Sequence, residues 1–95
     1  MITITRKDDV ITFNGHSRVD ICAAVSSIMY TTLNAMEKFD DESFDFNDDK
    51  EKDIVTIKIK YYTDATSVLI TNMFDMLKDL QEDTNGEVII KDTNY

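Results

Sequence analysis

Two periods divide the chain. In some stretches apolar and polar residues alternate; in others apolar residues recur every three or four positions, and the two patterns mark strands and helices respectively. Met1 to Thr5 alternates, with Ile2 and Ile4 on one side, and predicts a short first strand. Arg6-Lys7-Asp8-Asp9 is a polar turn. Val10 to Phe13 resumes with β-branched and aromatic residues, so residues 1–14 read as a hairpin. Asn14-Gly15 closes it, and glycine suits a positive φ or a close approach that a side chain would block. From Asp20 the period becomes helical. Val25, Ile28, Met29, Thr32, Leu33, Met36 and Phe39 form a stripe that faces a core. Asp20 or Ser17 supplies the N-cap, which puts Cys22 in the first helical turn.

Asp40 to Asp53 is strongly acidic and interrupted by Phe44 and Phe46. It reads either as a short strand over SFDF that turns through Asn47 to Lys52, or as a charged loop. Ile54 to Tyr61 is the clearest strand, with Val55, Ile57, Ile59 and Tyr61 on one face and Thr56, Lys58 and Lys60 on the other. Such a pattern belongs to a sheet covered by helices on one side and wet on the other. Thr63 to Asp83 predicts a second helix, capped by Thr63, Asp64 or Thr66, with Asn85-Gly86 just past its end. Its stripe of Val68, Leu69, Met73, Phe74, Met76, Leu77 and Leu80 is wider than one sheet contact needs; a Met-rich stripe is more often core, and the alternative is that part of it meets a second subunit. Glu87 to Lys91 is a last strand, and Asp92 to Tyr95 a short tail. The order β-β-α-(β)-β-α-β gives a single domain over residues 1–95: an α+β two-layer sandwich, a mixed sheet with two helices on one face.

Composition narrows the function classes. The net charge of −9 repels nucleic-acid phosphates and favours basic partners, so direct nucleic-acid binding is not expected. An acidic mimic of nucleic acid would gather its carboxylates on one helical face, and here they are dispersed. No apolar run approaches the roughly 20 residues that span a bilayer, and no secretory leader is visible, so no membrane association is expected. The one cysteine cannot form an internal disulfide, which fits the reducing cytoplasm. One cysteine and one histidine are too few for a zinc site, so no metal or other cofactor is expected.

Those two residues, His16 and Cys22, stand close together at a predicted strand-to-helix joint, in FNGHSRVDICAAVSS. From the residues alone, Cys22 reads as a small buried hydrophobe on an apolar face and His16 as a surface or turn residue. The motif changes that. Gly15-His16 and Cys22-Ala23-Ala24-Val25-Ser26 resemble the ribosomal-processing cysteine protease family, Prp, whose signature joins a Gly-His pair to an Asp-Ile-Val-Cys-Ala-Ala-Val-Ser helix start. The MITI-type first strand, Thr31 to Met36 (TTLNAM) and the later strand, helix and strand also fit the family layout. Two features depart from it. Only Ser17 to Ile21 separate histidine from cysteine, where the family has a longer, glycine-rich loop, and Asp20 precedes the cysteine by two positions instead of three.

The resemblance implies a cysteine endopeptidase. A helix start and a nearby imidazolium both favour a thiolate, so Cys22 would be the nucleophile and His16 its base. Backbone N–H groups at the start of the same helix would bind the oxyanion. Gly15, Asp20 and Ser26, the last at i+4 from Cys22, are the expected supporting or substrate-binding residues; Ser26 alternatively bonds back to the Cys22 carbonyl. The implied substrate is the N-terminal extension of a large-subunit ribosomal protein, or a phage capsid or scaffold precursor with a similar sequence, and the implied assembly a homodimer. The alternative is a catalytically silent module of the same fold that binds a basic protein or peptide.

Overall fold

The first fourteen residues form the expected antiparallel hairpin, with strands longer than the alternation alone suggests. In the computed structural model, which describes residues 1–93, β1 spans Ile2–Lys7 and β2 spans Val10–Gly15. Asn94 and Tyr95, the end of the expected tail, lie outside the described residues. The turn shrinks to Asp8-Asp9, with Asp8 at φ 55, a left-handed conformation that a short polar side chain tolerates. Arg6 therefore belongs to the strand and not to the turn. It can occupy an inward position because its guanidinium lies 5.2 Å over the Phe74 ring and 3.9 Å from the Asp92 carboxylate.

The α1 helix (Val19–Asp40) follows, then a 3₁₀ turn over Asp41–Ser43. The strand reading of the acidic segment holds over a longer stretch: β3 spans Phe44–Asp49 and β4 spans Ile54–Ile59, so Asn47, Asp48 and Asp49 belong to the strand and the turn runs from Lys50 to Asp53. The α2 helix (Asp64–Asp83) and β5 (Val88–Asp92) complete the fold, and Asp92 belongs to that strand and not to a tail. Among the described residues five strands lie in the order β3-β4-β2-β1-β5, with β1 and β5 paired in parallel and the other neighbours antiparallel. Both helices pack on one face, which is the two-layer α+β sandwich with a mixed sheet.

The core forms where the apolar faces of strands and helices meet. Ile2, Ile4, Ile11, Phe13, Ile57 and Ile59 from the sheet meet Ile21, Val25, Met29, Leu33 and Met36 from α1 and Ile70, Met73, Phe74 and Leu77 from α2. By length and composition α1 is apolar enough to cross a membrane, against the expectation from single apolar runs. Its stripe is committed to this core. Three expected core residues fall outside it: Phe39 is 70% exposed, Val68 67% and Met76 47%. Each sits at the margin of a stripe whose centre the 3.6-residue repeat carries past it, and Ile70 takes a central place instead. Tyr61 lies past the end of β4 and is also exposed.

Of the three caps considered for α2, Thr63 serves: its hydroxyl accepts from the Thr66 N–H at 3.1 Å. The α1 cap differs from either expectation. Arg18 occupies it with no capping bond from its side chain; Ser17 stands one residue ahead with its hydroxyl on Glu87, and Asp20 lies inside the helix.

Two outcomes follow from this packing. Phe74→Ala removes a fully buried ring and is expected to cost about 3–5 kcal/mol, whereas Phe39→Ala stays within about 0.5 kcal/mol; urea denaturation of the two variants measures both. The second concerns Tyr61, whose hydroxyl donates to Asp40 Oδ2 at 2.5 Å. That hydrogen bond first, then loss of solvent and the charges of Asp40, Glu42 and Asp41, push its pKa from 10.0 up to about 12. The folded chain holds a proton that the unfolded chain has released, so this contribution to stability is present below pH 10.0 and lost as pH rises through about 12. Ultraviolet titration is expected to show a tyrosinate step near 12 that Asp40→Asn moves toward 10.0.

Candidate active site

The site begins where β2 stops. Gly15 has φ 105, and a Cβ there would run into the carbonyl oxygen of Met1. Glycine is required on both counts, as the sequence suggests. The Gly15 N–H donates to the Asp53 carbonyl at 3.2 Å, which ties the end of β2 to the β3–β4 turn. His16, Ser17 and Arg18 alone then connect β2 to α1. The Met1 amino group donates to the His16 carbonyl and lies 3.4 Å from Glu87. Glu87 also accepts the Ser17 hydroxyl at 2.7 Å. The Ser17 hydrogen bond, followed by the bond and charge from the Met1 ammonium, holds the Glu87 carboxyl below its usual range.

Cys22 is half-buried in the first turns of α1. Its Sγ accepts from the Ser17 N–H at 3.3 Å and its thiol donates to the Ser17 carbonyl at 3.3 Å. The Cys22 N–H donates to the Arg18 carbonyl at 2.9 Å, so it is committed to the helix and unavailable to an oxyanion. The backbone N–H that donates to the sulfur is that of Ser17, just ahead of the helix.

His16 is exposed, and its Nε2 lies 2.6 Å from Asp53 Oδ2. Among the described residues no hydrogen bond joins His16 to Cys22. Both nevertheless line one cleft of about 410 Å³, together with Gly15 and Ser26. Ile2, Phe13, Val25, Met29, Tyr30 and Val55 give it an apolar lining, and Asp48, Lys50 and Asp53 a charged rim. Tyr30 meets Phe46 edge-to-face, with centroids 5.9 Å apart. The volume and the mixture of an apolar bed with a few polar groups suit an extended peptide side chain.

Four of the five expected site residues thus come together, and Asp20 does not. Asp20 is exposed on the first turn and pairs with Arg18 at 3.3 Å, where its charge complements the helix N-terminus. Ser26 is exposed, and among the described residues its hydroxyl makes no hydrogen bond, so it is not bonded back to Cys22. Mid-helix back-bonding occurs instead at Thr32, to the Ile28 carbonyl at 3.0 Å. Asp53 and Glu87 carry no signal of a site in the sequence, and Ser17 reads there only as a helix cap. Pairing of Asn14 with Ile54 is what brings Asp53 to Gly15 and His16, and a single sequence does not disclose strand register.

Comparison with known proteins agrees with this fold. The ribosomal processing protease Prp from S. aureus, solved with a covalently linked product peptide, superposes with a TM-score of 0.80 at 22% identity, over 98% of this chain and 100% of that one. The same protease with a substrate peptide gives a TM-score of 0.77 at 18% identity, over 97% of each chain. SMU.848 from Streptococcus mutans gives 0.75 at 20% identity, over 96% of this chain and 90% of that one. At these identities the likeness is one of fold. A search of the curated proteins finds no match. The family model described as Cysteine protease Prp matches residues 1–89, and the chain belongs to that family of cysteine proteases.

Proposed function

We propose that the protein is a sequence-specific endopeptidase that removes a short N-terminal extension from a ribosomal protein, or from a phage structural precursor of similar sequence, with Cys22 as nucleophile and His16 as base. The observation that carries this reading is the single cleft lined by His16, Cys22, Gly15 and Ser26. His16 Nε2 is engaged by Asp53, which leaves Nδ1 to accept the thiol proton. The thiolate then attacks the scissile carbonyl carbon, a C–S bond forms, and the carbonyl oxygen becomes an oxyanion beside the Ser17 N–H. Collapse breaks the C–N bond while the imidazolium protonates the leaving amine. Water, deprotonated by His16, hydrolyses the thioester and returns the thiol.

The charge of −9 supports a substrate with a basic segment, drawn in by electrostatic attraction. A lone cysteine that must stay reduced suits the cytoplasm. Exposed Val68 and Met76 on α2 suit pairing of two copies, and sedimentation is expected to give twice the 10.9 kDa chain mass.

One observation favours a second reading, a silent binding module of the same fold: the thiol is bonded to Ser17 and not to His16. Iodoacetamide separates the two, since an activated thiol alkylates at about pH 6.5 and an ordinary one does not. For the leading reading, intact-mass spectrometry after incubation with a peptide carrying the ribosomal-protein extension is expected to show one cut. Cys22→Ala is expected to abolish it, and His16→Ala to slow it by about 10²–10⁴-fold. Full activity in Cys22→Ala would overturn the proposal.

A further inference from the structure

The contact between His16 and Asp53 has the geometry of an orienting pair. We infer that Asp53 is the positioning residue for His16: its carboxylate holds the Nε2–H tautomer and turns Nδ1 toward the sulfur. The inference rests on the proposed Cys22–His16 chemistry.

Three observations carry it. The first is distance. At 2.6 Å, Nε2 and Oδ2 are within strong hydrogen-bond reach, and a neutral imidazole that donates from Nε2 keeps its lone pair on Nδ1. The second is anchorage at both ends. The Asp53 carbonyl accepts the Gly15 N–H at 3.2 Å, so the carboxylate is fixed to the residue immediately before the imidazole it contacts. His16 is held in turn through its own carbonyl by the Met1 amino group. The third is location. His16, Asp53 and Cys22 all line the same cleft, so the pair sits beside the nucleophile and not on a remote surface.

The competing role for Asp53 is a turn residue only. It ends the Lys50–Asp53 turn with φ 54, and aspartate is among the few residues other than glycine that adopt this region readily. The two roles make opposite statements about glycine. Glycine relieves whatever strain this φ imposes, so a turn residue is replaced by it without loss. A positioning carboxylate is not. Asparagine tolerates the same backbone and retains an oxygen that accepts from Nε2, so it stands between the two. With a side-chain exposure of 70% for His16 and 42% for Asp53, water competes for the pair, and the effect is expected to be smaller than for a buried triad.

The test compares the wild-type chain with Asp53→Gly and Asp53→Asn. On the peptide substrate, Asp53→Gly is expected to lower kcat by about 10- to 100-fold with a much smaller change in KM, and Asp53→Asn to recover part of the loss. His16 is the only histidine, so its two ring nitrogens give an unambiguous ¹⁵N spectrum. The wild-type spectrum is expected to show the Nε2–H tautomer, and Asp53→Gly a mixture. Wild-type kcat in Asp53→Gly together with an unchanged tautomer would overturn the inference. The ¹⁵N measurement needs no substrate. If the wild-type protein fails to cut the peptide, it is the proposed reaction that falls, while the spectra still decide whether Asp53 sets the tautomer.

Discussion

Gly15 is the constraint on which the site depends. At this position the sheet must end, the chain must pass the Met1 carbonyl too closely for a Cβ, and the backbone must adopt φ 105. No other residue meets all three conditions without displacing β1 or β2. The same residue donates its N–H to Asp53, so the turn between β3 and β4 is drawn to the point where the chain leaves the sheet. Imidazole, carboxylate and helix start are thereby gathered around one backbone position. Even a methyl group there would move Met1 and with it the amino group that holds the His16 carbonyl.

The rest of the fold makes this point rigid. Ile2 and Phe13, which flank the cleft from the strand side, are buried in the same core as Val25 and Met29 from α1. The walls of the cleft are therefore the edge of the hydrophobic core, and the polar groups are mounted on it. Burial of such side chains contributes about 1.5–3 kcal/mol each, far more than an exposed ion pair. Packing consequently decides where the His16–Asp53 pair sits, and the pair decides only which way the ring faces. This ordering of magnitudes explains why a site made of exposed polar residues can still have defined geometry.

The same division explains what could be read from the chain. Alternation and the 3.6-residue repeat disclosed the hairpin, both helices, β4 and the layer arrangement, because these are local consequences of burying one face. The motif disclosed Gly15, His16, Cys22 and Ser26, which the structure gathers in one cleft. The misreadings lie where local pattern and tertiary contact diverge. Asp20 has the chemistry of a cap, but the chain enters the helix at Arg18 and leaves Asp20 as the second helical residue. Arg6 reads as a turn residue in the sequence because its inward place depends on Phe74 and Asp92, both distant along the chain. Asp53 was one acidic residue among many in its segment until the register of β2 with β4 distinguished it.

The three-residue connection between β2 and α1 can be weighed in physical terms. Ser17 contacts the sulfur twice, as a donor through its N–H and as an acceptor through its carbonyl. The two bonds respond oppositely to ionisation. The N–H bond strengthens toward a thiolate, since hydrogen bonds to a charged partner are shorter and stronger. The carbonyl bond vanishes with the proton and becomes a repulsion between two electron-rich atoms. Loss of that one weak bond costs about 1 kcal/mol or less, so a thiolate can turn away from the carbonyl about its own side-chain torsion while the amide stays within reach. A longer connection would have to order additional residues at roughly 1–2 kcal/mol each to hold the same amide in place. A short connection therefore does not oppose the chemistry proposed for Cys22: it fixes the donor beside a sulfur that already lines the same cleft as His16.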